Sequence, residues 1–159
     1  MTYTLSITTP IGNLKLESDE RFLKSISFDS ETVEDHQWLP DVLIQTRKQL
    51  DEYFHGIRQI FDLPMDPEGT DFQRRVWVKL EGVTFGTTKS YIDIAREMGS
   101  ESSSRVVGMA NGRNPIPIII PCHRIVGHNG KLTGYAGGLE RKKWLLLHEQ
   151  QYFMIGRLF

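Results

Sequence analysis

The chain has 159 residues, 39% hydrophobic and 25% charged, with a net charge of -1 and one cysteine. That size permits one domain or two small ones, and the composition excludes both a disordered and a membrane class. A single cysteine excludes an internal disulfide and a C-x-x-C metal knuckle. The net charge hides a polarity: residues 1–70 carry six Lys/Arg against thirteen Asp/Glu, and residues 71–159 carry thirteen against seven. A basic second half suits a polyanionic partner such as nucleic acid, although solvated helix faces would give the same count. The opening "MTYTLSITTPIG" has no basic region followed by an apolar stretch, and no apolar run approaches a membrane span, so a cytosolic protein is expected.

Three segments, "YTLSIT", "NLKLES" and "LKSISF", alternate apolar and polar residues and are predicted strands, with "TPIGN" turning between the first two. Trp38, Leu39, Val42, Leu43, Leu50, Tyr53 and Phe54 recur near helical spacing and predict a helix covering one sheet face, stopped at Gly56. "FDLPMDPEGT" lies where the charge changes sign, and the domain boundary is placed there, giving domains 1–68 and 69–159.

In the second half, Thr70 and Gln73 form a capping-box pattern ahead of "FQRRVWVKLEGV", whose Phe72, Val76, Trp77 and Leu80 share an apolar face. Ser90 and Asp93 announce a helix ending at Gly99, and another starts near Ser102 and takes in "SSRVVGMANG". Two short helices joined by a turn containing glycine fit a helix-turn-helix, as they fit many helical hairpins. Asn114, Pro115, Pro117 and Pro121 stop the second of these, and residues 114–122 are expected to be extended and stiff. "RIVGHNGKLTGY" predicts a hairpin turning at Asn129-Gly130. The final helix, "GGLERKKWLLLHEQ", is expected to turn Leu139, Trp144, Leu145 and Leu147 inward and its Lys/Arg run outward.

Cys122 stands in "IIIPCHRIV". A lone cysteine is commonly a small buried hydrophobe, but here His123 adjoins it, Arg124 follows, and a polar Asn-Pro segment leads into an apolar stretch. A thiol with a reference pKa of about 8.5 needs a nearby base or positive potential to become thiolate. On an extended segment Cys122 and His123 would point to opposite sides, so a bridging water or a bend would be needed.

"NPIPIIIPCHRIVG", with "SRVVGMA", "FGTTKSYIDIA" and "YAGGLERKKWLLLHE", resembles the O6-alkylguanine-DNA alkyltransferase family, with consistent spacing from Thr70 to Glu149. The resemblance implies an α+β fold. A small N-terminal ribonuclease-H-like sheet-plus-helix domain would precede a mainly helical winged-helix/helix-turn-helix active domain. It implies DNA repair by irreversible, stoichiometric transfer of a methyl group from O6 of guanine, and from O4 of thymine, to Cys122. By resemblance His123 acts through a water as the base and Glu149 orients it, with His148 as a competing partner. The turn before the active segment is ordered by Asn114, and Tyr135 donates to the leaving guanine. Arg105 fills the gap left by the flipped base, Tyr91 pushes on its phosphate, and Ser103, Ser104, Ala110, Arg113 and Arg124 complete the DNA contacts. Ile125, Ala136, Gly137, Asn111 and Lys142 line the pocket. The helix with Ser102, Ser103, Ser104, Gly108, Ala110 and Gly112 carries small side chains, which suits a minor groove or close helix packing.

The implied partner is double-stranded DNA with an alkylated guanine, bound through the minor groove by a monomer, with assembly along DNA left open. No metal or cofactor is implied, nor any membrane contact; the location implied is cytoplasmic, at the nucleoid in a bacterium. Asn111 stands where an apolar residue is expected, Ala136 where some relatives have serine, and Arg113 one position from its commoner place. Two other readings compete. An alkyltransferase-like damage-sensing module would carry another residue at position 122, and a Cys-His hydrolase would turn over.

Overall fold

The computed structural model describes residues 1–28, 31–32, 38–100 and 103–158, with side chains described through Phe153. Its contacts divide the chain into two compact units, Met1–Glu68 and Gly69–Phe159, in an α+β architecture.

In the first unit, β1 (Tyr3–Thr9), β2 (Gly12–Ser18) and β3 (Leu23–Phe28) form an antiparallel sheet in that order. The register pairs Leu5 with Leu16 and Ile7 with Leu14. Period-two alternation therefore puts Leu5, Leu14 and Leu16 in the core, where Val42, Leu43, Leu50 and Tyr53 of α1 (Asp41–Phe54) are also buried. The helix starts after the first two residues of its apolar pattern, because Pro40 takes the cap position in an extended conformation. Trp38 is consequently exposed and packs edge-on against Tyr3. At the other end Gly56, at φ +76°, donates to the Tyr53 carbonyl while Ile57 donates to Glu52, the two bonds of a Schellman stop.

The second unit begins with α2 (Asp71–Glu81), whose Thr70–Gln73 capping box is formed in both directions. Val76, Trp77 and Leu80 are buried, and the Trp77 indole N–H donates to the Ala110 carbonyl at 2.9 Å, tying α2 to α4 (Ser104–Gly112). Between them lie β4 (Lys89–Ser90) and α3 (Tyr91–Glu97), the latter capped reciprocally by Ser90 and Asp93. Ser102, the expected start of α4, lies outside the described residues; Ser103 is the cap residue.

Three expectations fail here. Residues 114–122 are coiled into turns: Ile120 N–H donates to the Ile116 carbonyl, Ile118 sits at φ +74°, and Cys122–Arg124 form a 3-10 turn. Proline fixes φ and lacks a donor, which suits a turn as well as a strand. The hairpin is also absent. Asn129 and Gly130 do turn at positive φ, but β5 (Ile125–Val126) pairs in parallel with β4. The Ile125 and Thr133 carbonyls instead accept the Lys142 ammonium.

The third failure concerns α5 (Leu139–Leu158): Leu139 and Leu147 are exposed, whereas Lys142, Leu145, His148 and Glu149 are buried. Leu145 is buried and Trp144 half-buried as the apolar pattern predicts, but the inward face also carries Lys142, His148 and Glu149, which that pattern does not show.

Candidate active site

Two asparagines brace the backbone at and just before the tight turn of Cys122–Arg124. Asn114 Oδ1 accepts from Ile116 N–H at 3.0 Å and its Nδ2 donates to the Ile120 carbonyl at 2.8 Å, closing the turn that precedes the cysteine. Asn111, at the end of α4, donates to the Cys122 carbonyl at 3.3 Å. Both asparagines are buried. The polar residue standing where an apolar one is expected thus bonds the backbone of the reactive segment.

Cys122 is 3% exposed, and burial pushes its thiol up to about 11, only partly offset by the Asn114 side chain, the Lys142 ammonium and backbone N–H groups. The resting side chain is a thiol. His123 is fully buried, and its Nε2 lies 2.6 Å from Glu149 Oε2. Burial would by itself raise the Glu149 carboxyl, but His123 and Arg124 outweigh it and hold the group well below the usual carboxylate range. An ionised carboxylate only accepts, so Nε2 carries the proton and Nδ1 presents a lone pair. Nδ1 has no hydrogen-bond partner among the described residues. Burial also lowers the His123 pKa, with Glu149 opposing, so the imidazole rests neutral and competent as a base.

His148, the competing partner for His123, lies elsewhere: it stacks on Trp144 at 4.8 Å and meets Tyr152 at 4.9 Å. Arg124 is the largest correction. It is 6% exposed, donating to Glu149 through Nε at 2.7 Å and Nη2 at 3.0 Å and to the Val83 carbonyl through Nη1 at 2.7 Å. A guanidinium so engaged is not offered to a phosphate. Ala110 is likewise buried, its carbonyl taken by Trp77, and is not on the open face of its helix.

Lys142 belongs to the buried set. Its Nζ donates to Ile125 O at 2.6 Å and Thr133 O at 2.9 Å, and burial lowers its pKa. Tyr135 has its hydroxyl buried and raised well above the ordinary phenol range, chiefly by burial and then by the negative charge that Cys122 and Glu149 can carry. A turn follows it, with Gly138 donating to Tyr135 O and Arg141 to Gly137 O; Ala136 is exposed.

The remaining residues gather at a second place on the same unit. Tyr91 hydroxyl meets Thr133 Oγ1 at 2.7 Å, beside a surface cleft of about 330 Å³ to which Ser104, Arg105 and Gly108 also contribute. Thr133 joins the two places, its hydroxyl on Tyr91 and its carbonyl on Lys142. Arg105, Val106, Met109 and Gly112, with the cap residue Arg113, are exposed together, at steps of one, three, three and one along one face of α4. Ser103 and Ser104 are half-buried. Val106 and Met109 escape notice in the sequence because an apolar residue on a helix reads as core. Among the described residues no group of three or more His, Cys, Asp or Glu could hold a metal ion, and no helix is long and apolar enough to cross a membrane.

Glu149 is also approached by the Gly86 N–H at 3.4 Å. Gly86 sits at φ +79°, and a Cβ there would lie 2.5 Å from Phe153 Cγ. Gly86→Ala should therefore destabilise the protein by about 2–4 kcal/mol, combining left-handed strain with overpacking, measured as a fall in thermal midpoint; an unchanged midpoint would contradict the packing described.

A buried thiol next in the chain to a histidine bonded to a buried carboxylate, on a unit with an arginine-bearing open helix face, supplies the parts from which one cysteine could be activated. Comparison with known proteins narrows this class. Residues 71–151 match the family described as "6-O-methylguanine DNA methyltransferase, DNA binding domain", and residues 1–67 match its ribonuclease-like domain. A methylated-DNA–protein-cysteine methyltransferase of Methanosarcina acetivorans is 43% identical over 153 residues, covering 91% of this chain and 96% of the relative. The constitutive enzyme of that name from Bacillus subtilis is 40% identical over 157 residues, covering 93% and 94%. The crystal structure of Mycobacterium tuberculosis O6-methylguanine methyltransferase superposes with a TM-score of 0.85 at 42% identity, covering 96% of this chain and 94% of that one. The M. tuberculosis protein in complex with DNA matches with the same score. The chain belongs to the 6-O-methylguanine DNA methyltransferase family.

Proposed function

We propose that the protein repairs DNA by moving the methyl group of O6-methylguanine, and of O4-methylthymine, onto Cys122. The observation that carries this reading is the Cys122–His123–Glu149 constellation, supported by relatives named for that transfer. In the reaction His123 Nδ1 takes the thiol proton through a water while Glu149 keeps Nε2–H in place. The sulfur then forms a bond to the methyl carbon as the carbon–O6 bond breaks. The electron pair goes to guanine O6, which Tyr135 serves as hydrogen-bond and proton donor. Because the thiol is held near 11 at rest, deprotonation belongs to the reaction itself and not to the ground state.

The product is a thioether, and no second cysteine exists to resolve it. Each molecule therefore acts once. A cysteine that is 3% exposed cannot reach a base inside a duplex, so the nucleotide must leave the stack. The exposed face of α4 suits the minor groove, with Arg105 taking the vacated place and Tyr91 beside the phosphate. Arg113, Ser103 and Ser104 flank the backbone, while Ile125, Ala136 and Gly137 contact the extruded base. The first unit supports this machinery, the chain acts as a monomer in the cytoplasm, and a damage-sensing module without transfer is disfavoured by the cysteine itself.

The test is intact mass after incubation with duplex DNA containing O6-methylguanine. One methyl group should appear on the protein, and demethylated product should plateau at one equivalent; continued turnover, or binding with no mass change, would overturn the reading.

A further inference from the structure

Glu149 receives far more than one hydrogen bond. Oε1 accepts Arg124 Nε at 2.7 Å and, weakly, Gly86 N–H at 3.4 Å; Oε2 accepts His123 Nε2 at 2.6 Å and Arg124 Nη2 at 3.0 Å. The Arg124 fork is itself fixed, by Nη1 on the Val83 carbonyl and by the Phe85 ring 5.8 Å from its central carbon. The carboxylate is 1% exposed and has no freedom to rotate without losing the bidentate pair. Both ends of the arrangement lie in the unit that carries Cys122.

We propose that Arg124 is a positioning residue of the transfer reaction: its bidentate grip aims Glu149 at His123 and thereby sets the basicity of the imidazole that accepts the Cys122 proton. The inference rests on the transfer reading above and assigns this arginine to the base, not to DNA.

The alternative for a carboxylate in this place would be an isolated Glu–His pair. A buried, unbalanced carboxylate would draw a proton onto the imidazole and trap it as imidazolium, which is useless as a base. With Arg124 present the anion is already balanced, and the arginine itself disfavours a charged His123. The other titratable groups facing the pair are Cys122, Lys142 and Tyr135, with Arg141 near Tyr135. The buried residues of α2 and the segment from Val83 to Thr87 bring no charge. Arg124 is thus a cation in direct, two-pronged contact with Glu149.

The sign of the effect follows. Without the guanidinium, protonated His123 is stabilised and its pKa climbs, and since the base must be neutral, the acid-side limb of the transfer rate moves to higher pH. Arg124→Gln and Arg124→Lys should be compared with the unaltered protein in single-turnover transfer from O6-methylguanine duplex across pH, together with DNA affinity. The glutamine variant should lose about tenfold to a hundredfold in rate at neutral pH and show the upward limb shift. The lysine variant, which keeps charge without the fork, should recover part of both, and both should bind DNA as the unaltered protein does. Rates and limbs matching the unaltered protein, a rate loss with no limb shift, or a fall in DNA affinity with normal transfer at saturating DNA would each overturn the inference. If only the lysine variant folds, its limb decides: shifted upward supports, unshifted overturns. Absence of transfer in the unaltered protein would instead defeat the transfer reading.

Discussion

Replacement of Cys122 by serine should leave no methyl uptake, although the site around it keeps every other group. An alcohol is a far poorer acid than a thiol, and the His123 imidazole, whose basicity burial has already lowered, cannot take its proton to a useful extent. Oxygen is also a harder nucleophile than sulfur toward the methyl carbon, so the loss should be complete within detection. Cys122→Ala should be equally inactive but easier on the fold. A serine hydroxyl at a position that is 3% exposed must find a partner or cost about 1–3 kcal/mol, whereas alanine only opens a small void. Intact mass after exposure to O6-methylguanine duplex checks the first claim, and thermal unfolding of the two variants checks their order. Methyl incorporation by the alanine variant would show that the acceptor lies elsewhere.

The parts of the molecule visible in the sequence are those governed by short-range rules. Alternation in "NLKLES" and the reciprocal caps at Thr70 and Ser90 need only neighbours in the chain, and each appears as the local chemistry demands. Local patterning misleads wherever distant groups override local preference. Leu139 and Leu147 face outward because the other side of α5 must deliver Lys142 to two carbonyls and Glu149 to His123, contacts that span nine to twenty-six positions. The prolines before Cys122 signal stiffness, but the Ile120–Ile116 backbone bond and the two Asn114 side-chain bonds make that stiffness a turn. The resemblance implies Arg124 as a DNA contact, but its guanidinium is engaged by Val83 and Glu149. Resemblance points to Cys122, His123 and Glu149 together, whereas nothing in the sequence signals that Arg124 and Gly86 also bond the Glu149 carboxylate.

Glu149→Gln should be nearly as damaging as loss of the cysteine, for a reason specific to this geometry. A glutamine keeps the shape of the side chain but has one acceptor and one amide donor. Its oxygen will be claimed by Arg124, which offers only donors, and its amide N–H then faces His123 Nε2. The imidazole answers by moving its proton to Nδ1, so that Nε2 accepts, and the lone pair intended for the thiol proton disappears. Inverting a catalytic histidine in this way costs about 10⁴ in rate in serine proteases, and a loss on the order of 10³–10⁴ is expected here. The substitution also leaves Arg124 buried without its counter-charge, a change of about 3–5 kcal/mol, so the thermal midpoint should fall as well. Single-turnover transfer on O6-methylguanine duplex measures the first effect, and nitrogen chemical shifts of His123 read the tautomer directly. A folded glutamine variant with near-normal rate would mean that Glu149 is only a structural partner of Arg124, and that the thiol loses its proton by a route that bypasses the histidine.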